Sequence, residues 1–330
     1  MVSTVVEPKD RGTVLIISHA ADIHATTVIE RLQHRGEPVR LLDLATVPGQ
    51  TALAIDYQSE DEPRALLKQA GQQDLDLSEC RSIWWRRPQR FDLSAIGDAE
   101  AFAFAYNEWH EALAGLWQLA DAFWVNNPVD DEVASHKAFQ LREAAAVGLR
   151  IPRTLITSDP ETARAFIDSL GFERTVFKVF SATEHTWRET RVLRREELEQ
   201  IDDVRLAPVI FQEYIPAEVD LRITVVGDRV FPAAIYSQDT AYKVDFRMGM
   251  DDARIAATEL PDDIVANLKN LLRRLNLVYG AVDMRRTPTG EHVFLEVNTA
   301  GQWLFVEQAT GQPIAEAVAG ALASASLPRD

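Results

Sequence analysis

Two oxygen-bearing side chains, Glu296 and Asn298, stand two residues apart at the end of the run Val293-Phe294-Leu295-Glu296-Val297-Asn298. Residues at i and i+2 of a strand project to one sheet face. The spacing therefore predicts a carboxylate and a carboxamide side by side, where the strand gives way to Thr299-Ala300-Gly301-Gln302-Trp303. Hard oxygen donors of this kind suit Mg²⁺, which takes one or two protein carboxylates and keeps positions for water and phosphate oxygens. The stretch Tyr279 to Arg286 precedes it across Thr287-Pro288-Thr289-Gly290, a turn signal, and the two segments read as a hairpin. Val282 and Met284 are then expected on the apolar face with Val293, Leu295 and Val297. That register sends Asp283 and Arg285 to the face of Glu296 and Asn298. Asp283 and Glu296 fall opposite or diagonal to one another, within reach of a common metal. The polar outer face of an ordinary hairpin gives the same pattern.

Cationic groups are the complement such a site needs. Lys178 sits in Val176-Phe177-Lys178-Val179-Phe180, where apolar neighbours bury its stem. An ammonium in such a strand is costly without an anion, which favours a ligand role. Arginines cluster at Arg86-Arg87-Arg90, at Arg188-Arg191-Arg194-Arg195 and at Arg285-Arg286. Most such runs are solvated faces. In Trp84-Trp85-Arg86-Arg87-Pro88, however, the proline stops a strand and leaves two guanidinium groups at its end. With a net charge of −17, any anion site has to be built locally from groups like these. The same charge excludes general nucleic-acid binding, which needs a basic surface.

The elements that must hold these groups show in the pattern. Thr13 to Ser18 reads as a buried strand, Ile23 to Arg35 as a helix ended by Gly36, and Val39 to Leu42 as a second strand: a β-α-β opening that predicts a parallel sheet. Ser18-His19-Ala20 follows the first strand where a dinucleotide fold would place glycines, so that fold is set aside. Ala52 to Tyr57 and Ser82 to Trp85 add strands. Asp98 to Leu119 reads as a long helix whose stripe of Phe102, Tyr106, Trp109, Leu113, Leu116 and Trp117 is expected to pack on the core. Phe123 to Asn127 is a strand. Asp131 to Gly148 is expected as one helix with Lys137 near its middle and Gly148 at its C-terminal end. Strand Thr154 to Thr157 leads to a helix opened by Ser158 or Asp159 and Pro160, then to strand Thr175 to Phe180. Val209 to Ile215 is a strand. Asp220 to Val226 and Val230 to Tyr236 form a hairpin closed by Gly227-Asp228, and Pro261 to Leu275 is a helix. The single cysteine, Cys80, excludes a disulfide framework. The absence of any long apolar run or signal segment points to the cytoplasm and away from membranes.

Taken in order, these pieces resemble the ATP-grasp ligases. The implied fold class is α/β (α+β): an N-terminal parallel-sheet unit (1–127), a small central unit (128–208) and a C-terminal antiparallel unit with the metal site (209–330). Trp84 to Pro88, Ser135-His136-Lys137-Ala138-Phe139-Gln140-Leu141, Ile151-Pro152-Arg153-Thr154 and Phe294 to Trp303 are similar to the ATP-grasp ribosomal-peptide maturases, the microviridin-type or graspetide ligases. The resemblance covers nearly the whole chain and implies ATP and Mg²⁺ as cofactors. Lys137 and Lys178 would contact phosphate, and Gln212-Glu213-Tyr214-Ile215 would hold adenine, with Glu213 on its amino group. Glu218 or Asp220 would take the ribose hydroxyls. Asp283, Glu296 and Asn298 would hold the metal. Arg222 would reach the phosphate or acyl group, and Arg285 and Arg247 would bind the substrate carboxylate or developing phosphate charge.

Two departures from the resemblance are visible. Ser181 to Arg188 contains no glycine where many relatives carry a glycine-rich phosphate loop, and Thr299 stands where proline is common. The implied substrate is a ribosomal precursor peptide whose Asp/Glu side chains are joined to Ser/Thr or Lys, and the implied assembly is a homodimer. A ligase of the glutathione-synthetase or ribosomal-protein-modifying kind, an ATP-grasp phosphotransferase and a non-catalytic ATP-binding protein are the alternatives.

Overall fold

The computed structural model describes residues 12–58, 63–180, 191–240 and 253–327. Its N-terminal unit opens with β1 (Thr13–Ile17), whose unbroken apolar sequence requires cover on both faces. Next come α1 (Ile23–His34), β2 (Val39–Leu42), β3 (Thr51–Asp56), β4 (Arg64–Gln69), β5 (Leu75–Asp76), β6 (Cys80–Trp85), α2 (Ala99–Gln118) and β7 (Phe123–Val125). Strands β2-β1-β6-β7 form the expected parallel sheet, while β3-β4-β5 make a separate antiparallel sheet that covers one of its faces. The strand at β3 is foreseen from the sequence, but its partner β4 is not. The aromatic stripe of α2 is only half what periodicity suggests. Leu113, Leu116 and Trp117 are buried, whereas Phe102, Phe104 and Tyr106 are exposed, with Tyr106 set beside the Phe91 ring.

The middle of the chain carries α3 (Pro128–Ser135), α4 (Lys137–Ala146), β8 (Thr154–Thr157), α5 (Pro160–Leu170), β9 (Thr175–Lys178), β10 (Arg191–Val192) and β11 (Val209–Glu213). The helix expected over Asp131 to Gly148 is two. His136 adopts extended backbone (φ −71°, ψ 111°), and Lys137 becomes the first residue of α4 instead of a mid-helix residue. Gly148 does stop α4, with φ at +89°. Asp159 opens α5, its carboxylate accepting from the Thr162 N–H, with Pro160 at the first helical position. Strands β10-β9-β11-β8 form an antiparallel sheet backed by Ala163, Phe166 and Ile167 of α5.

The last third contains β12 (Val219–Val226), β13 (Arg229–Ile235), β14 (Ile255–Ala257), α6 (Asp262–Arg274), β15 (Tyr279–Arg286), β16 (His292–Asn298), α7 (Leu304–Thr310) and α8 (Ile314–Ser324). The five strands run antiparallel in the order β14-β13-β12-β15-β16. Leu221, Ile223, Val225, Val282, Met284 and Val297 point to one face, against Leu268, Leu271 and Leu272 of α6. The opposite face carries the polar row described below and, beyond it, packs on α8 and the parallel sheet.

The hairpin register holds with one correction. Asp283 faces Glu296, but Met284 faces Phe294, so Leu295 is an extra residue in a β-bulge. The bulge turns Phe294 onto the core face beside Met284 and removes Leu295 and Val293 from it. Strict alternation cannot predict this step. Burying the larger Phe294 side chain is the gain that favours it. Among the described residues no helix is long and apolar enough to cross a membrane.

Candidate active site

Directly opposed residues in an antiparallel sheet share a face, and one such row crosses three strands here: Arg222 on β12, Asp283 on β15 and Glu296 on β16. Arg222 Nη1 donates to Asp283 Oδ1 at 2.7 Å. Asn298, two residues beyond Glu296, donates from Nδ2 to Asp283 Oδ2 (3.2 Å) and Glu296 Oε1 (3.4 Å). The carboxylates thus converge on one carboxamide. Lys137 reaches the row from the start of α4, with Nζ 2.5 Å from Glu296 Oε2. Burial works against the Arg222 charge, but Asp283 together with Tyr279 and Glu296 outweighs it and holds the guanidinium pKa above its ordinary value.

Gln140 explains why α4 sits where Lys137 can make this contact. Its side-chain amide behaves like a strand partner to the edge of β16, accepting from Val297 N–H (3.1 Å) and donating to Val297 O (2.9 Å). A second side-chain amide does similar work from the N-terminal unit. Asn126 accepts from the Val278 and Tyr279 N–H groups and donates to Tyr279 O and Thr299 O.

The turn after β16 is held from both ends. Arg222 donates to Gln302 O (2.8 Å), and Tyr279 Oη donates to Gly301 O (2.7 Å). Arg86, fully buried at the end of β6, donates to Ala300 O and Gly301 O and pairs with Asp22 at 3.1 Å. His24 Nε2 accepts the Trp303 and Leu304 N–H groups, which open α7, so its proton resides on Nδ1, 3.2 Å from Asp22 Oδ1. Burial opposes ionisation of Asp22, yet the His24 ring, Arg86 and Ser18 outweigh it and keep the carboxyl well below its usual range. Burial, helped by Arg86 and Arg87, lowers the His24 pKa against the pull of Asp22 and favours the neutral ring that this capping role requires.

These groups enclose a cavity of about 520 Å³ lined by Arg87, Lys137, Gln140, Arg222, Asp283 and Asn298 together with the 299–302 turn. Other residues named from the sequence lie elsewhere. Lys178 is on β9, opposite Ile210 of β11. Gln212 is buried and bonds Thr154 Oγ1 (2.9 Å), while Glu213 accepts from Arg153 N–H at 3.3 Å. Arg285 stacks over the Tyr214 ring and donates to Ile215 O (2.7 Å) and to Asp220 (2.8 Å). Asp220 is also bonded by Ser237, and it is buried with Arg285 in an ion pair away from the cavity. Glu218 pairs with Arg286. Arg247 and the glycine-free segment Ser181 to Arg188 lie outside the described residues. Asp22, His24 and Asn126 carry no sequence signal beyond polar residues near element ends, and Gln140 stands in the Ser135 to Leu141 motif without a role read for it. Arg87 had one, the double arginine before a proline.

The donor set suits a divalent hard cation. Two carboxylates and an amide meet at one point, and turning the Asn298 amide over would present its oxygen where its nitrogen now stands. Among the described residues there is no group of three or more His, Cys, Asp or Glu with metal-binding geometry, so the third protein donor would be the carboxamide.

A parallel-sheet unit and two antiparallel sheets, with lysine, arginine and carboxylates meeting over the second, define an ATP-grasp ligase. The chain belongs to the RimK-like ATP-grasp family, whose model matches residues 130–322, and residues 13–132 match the MvdD pre-ATP grasp domain. Among solved structures it is similar to the macrocyclase MdnC bound with precursor peptide MdnA from Microcystis aeruginosa MRC. The identity is 28%, 94% of this chain and 99% of that one are covered, and the TM-score is 0.84. It is also similar to a Chryseobacterium gregarium RiPP-associated ATP-grasp ligase in complex with ADP and a leader and core peptide. There the identity is 28%, the coverage 96% and 98%, and the TM-score 0.86. A curated relative, the probable alpha-L-glutamate ligase of Shewanella loihica, is 27% identical over 210 residues, 62% of this chain and 68% of the relative. The resemblance read from the sequence, to ATP-grasp peptide maturases, is borne out by these neighbours.

Proposed function

We propose that the chain is an ADP-forming peptide ligase that joins acidic side chains of a ribosomal precursor peptide to hydroxyl or amine groups of the same peptide. One observation carries this reading. The likeness to the peptide-bound ligases runs through the N-terminal unit and covers 94–96% of the chain, whereas the glutamate ligase relative covers 62%.

In the proposed reaction a side-chain carboxylate oxygen attacks the γ-phosphorus of ATP, the bond to the β–γ bridging oxygen breaks, and an acyl phosphate and ADP form. A Ser/Thr hydroxyl or Lys amine then adds to the acyl carbon. The new bond closes as phosphate leaves with its bonding pair and the nucleophile's proton is lost to solvent. No nucleophilic side chain is required, so the protein's part is alignment and charge neutralisation. Asp283, Glu296 and Asn298 would hold Mg²⁺, which supplies Lewis-acid neutralisation of phosphate charge. Lys137, paired with Glu296 here, would move to a phosphate oxygen. Arg222 is fixed by Asp283 and Gln302 O beside the cavity and is the group for the oxyanion of the second step. Lys178 and the segment Gln212 to Ile215, on the sheet that neighbours the site, are assigned to the nucleotide.

Glu296→Gln removes a metal-binding charge and the Lys137 partner without changing side-chain volume. Peptide-stimulated ADP release is expected to fall by at least about 10²-fold, with an unaltered circular dichroism spectrum. Unchanged turnover in that variant would refute the metal assignment. Mass spectrometry of the co-expressed peptide separates the two ligase readings. Crosslinking removes one water per ring, while the glutamate ligase reading adds residue mass.

A further inference from the structure

The peptide group between Gln302 and Trp303 is gripped on both sides by side chains from different units of the chain. Its oxygen accepts from Arg222 of β12, at 2.8 Å from Nη2 and 3.3 Å from Nε. Its N–H donates to His24 Nε2 of α1 at 3.2 Å, and the Leu304 N–H donates to the same atom at 3.3 Å. A peptide group is planar, and in its trans form the oxygen and the N–H point in opposite directions. They cannot be aimed separately. The acceptor that fixes the N–H therefore also fixes where the oxygen meets the guanidinium. The cation polarises the peptide group and strengthens its N–H as a donor, so the two contacts support each other.

His24 is itself immobilised. Its side chain is buried, Nδ1 lies 3.2 Å from Asp22 Oδ1, and the Trp303 ring stands edge-on to the imidazole with centroids 5.0 Å apart. With Nδ1 donating to a carboxylate, Nε2 is left as the acceptor. Arg222 has a second anchor in Asp283 Oδ1 at 2.7 Å. That carboxylate is assigned to the metal in the reading above, so the anchor independent of the ion is Gln302 O.

We propose that His24 is a positioning residue of the ligase site, aiming the Arg222 guanidinium through the Gln302–Trp303 peptide group. The inference rests on the ligase reading, in which Arg222 meets the acyl oxyanion, and it places a control on that group outside the cavity. His24 does not line the cavity and acts only through the backbone it holds.

A ring that served only to brace the Asp22 network would depend on its Nδ1 bond. Two amide substitutions separate the roles. His24→Asn keeps a polar group at the reach of Nδ1, able to bond Asp22, and puts nothing at the position of Nε2. His24→Gln brings its carbonyl oxygen to the reach of Nε2, where it can accept from Trp303 and Leu304, and gives up the Asp22 bond.

The test follows hydrogen exchange of the Arg222 Nε–H by NMR in the full-length chain with isotope-labelled arginine, the signal being identified by its loss in Arg222→Lys. Labelled histidine reads the ring of the wild type, which is expected to be protonated on Nδ1 and bare at Nε2. His24→Asn should speed exchange of the Arg222 Nε–H at least about tenfold, the scale of one hydrogen bond in a local opening. His24→Gln should stay within about threefold of wild type. The reverse order, or equal rates in the two variants, would overturn the proposal, as would a wild-type ring protonated on Nε2. Faster exchange in His24→Asn that extends equally to the backbone amides of β12 would mark general loosening and overturn it too. Calorimetry of MgADP on the wild-type chain separates the two failures. No binding sinks the ligase reading, whereas binding with equal exchange rates in both variants sinks the assignment of His24 alone.

Discussion

At the scale of single residues, the site's surroundings store a charge where burial disfavours it. Asp131, in the first turn of α3, has a buried Oδ1 with no hydrogen-bond partner among the described residues. Burial pushes its pKa from 3.8 up to about 6, against a smaller downward pull from the Thr299 and Asn126 side chains. A carboxyl whose pKa is raised on folding binds its proton more tightly in the folded chain. It therefore lowers stability progressively as pH climbs from 3.8 to 6, and the cost is complete above that window. The shift corresponds to roughly 3 kcal/mol, and partial solvent access reduces this to ~1–2 kcal/mol. Asp131→Asn should therefore raise stability by ~1–2 kcal/mol at pH 7.5, and the gain should shrink toward pH 5. Urea unfolding at the two pH values checks this, and a gain independent of pH would mean that ionisation is not its cause.

At the scale of elements, the decisive piece is the turn that joins β16 to α7. Gly301 is packed so closely that a Cβ there would stand 2.4 Å from the Ala281 Cβ and 3.0 Å from Arg222 Nη2. Gly301→Ala must move the backbone, and with it the carbonyls that Arg222, Arg86 and Tyr279 hold. We expect a stability loss of about 1–3 kcal/mol and a fall in peptide-stimulated ADP release of up to ~10²-fold. A variant with wild-type turnover would show that the turn need not approach β15 this closely. The same region shows what a sequence discloses. The period of two and the Thr-Pro-Thr-Gly turn put Asp283 opposite or diagonal to Glu296, and the structure shows them directly opposed. The bulge at Leu295 was not legible, because it is settled by the room for Phe294 beside Met284. Lys137 was visible as a lysine on a helix but not as the first residue of one, since nothing local marks His136 as a break. The pairing of Arg285 with Asp220 was hidden for a related reason: their strands are neighbours in the sheet but lie 65 residues apart in sequence.

For the whole molecule, the contacts that matter tie the first hundred residues to the last forty. Ser18, Asp22, His24 and Arg86 form one buried network whose outer bonds all end on residues 300–304. No sequence pattern announces such a network, because its members are single polar residues and the backbone groups they hold lie more than 200 positions away. Arg86→Met keeps the bulk of the stem, strands the Asp22 charge, removes the donor to Ala300 O and leaves Gly301 O to Tyr279 alone. A loss of about 3–5 kcal/mol is expected, the range for breaking a buried ion pair from one side. Guanidinium denaturation measures it, and a loss below ~1 kcal/mol would show that Asp22 is satisfied by His24 and Ser18 alone.

Helix α8 has a consequence in time. Residues of this late helix cover α1 and β6 of the first sheet, and Ser82 of β6 donates its hydroxyl to Leu322 O at 2.7 Å. A ribosome makes those partners in the wrong order. The 229 residues that follow Trp85 up to Ile314 take roughly 11–46 s to add at common translation rates. Throughout that interval the apolar face of the parallel sheet is covered by α1 without α8. The nascent chain therefore carries that uncovered apolar surface until its final helix leaves the exit tunnel, the interval in which such surface favours aggregation.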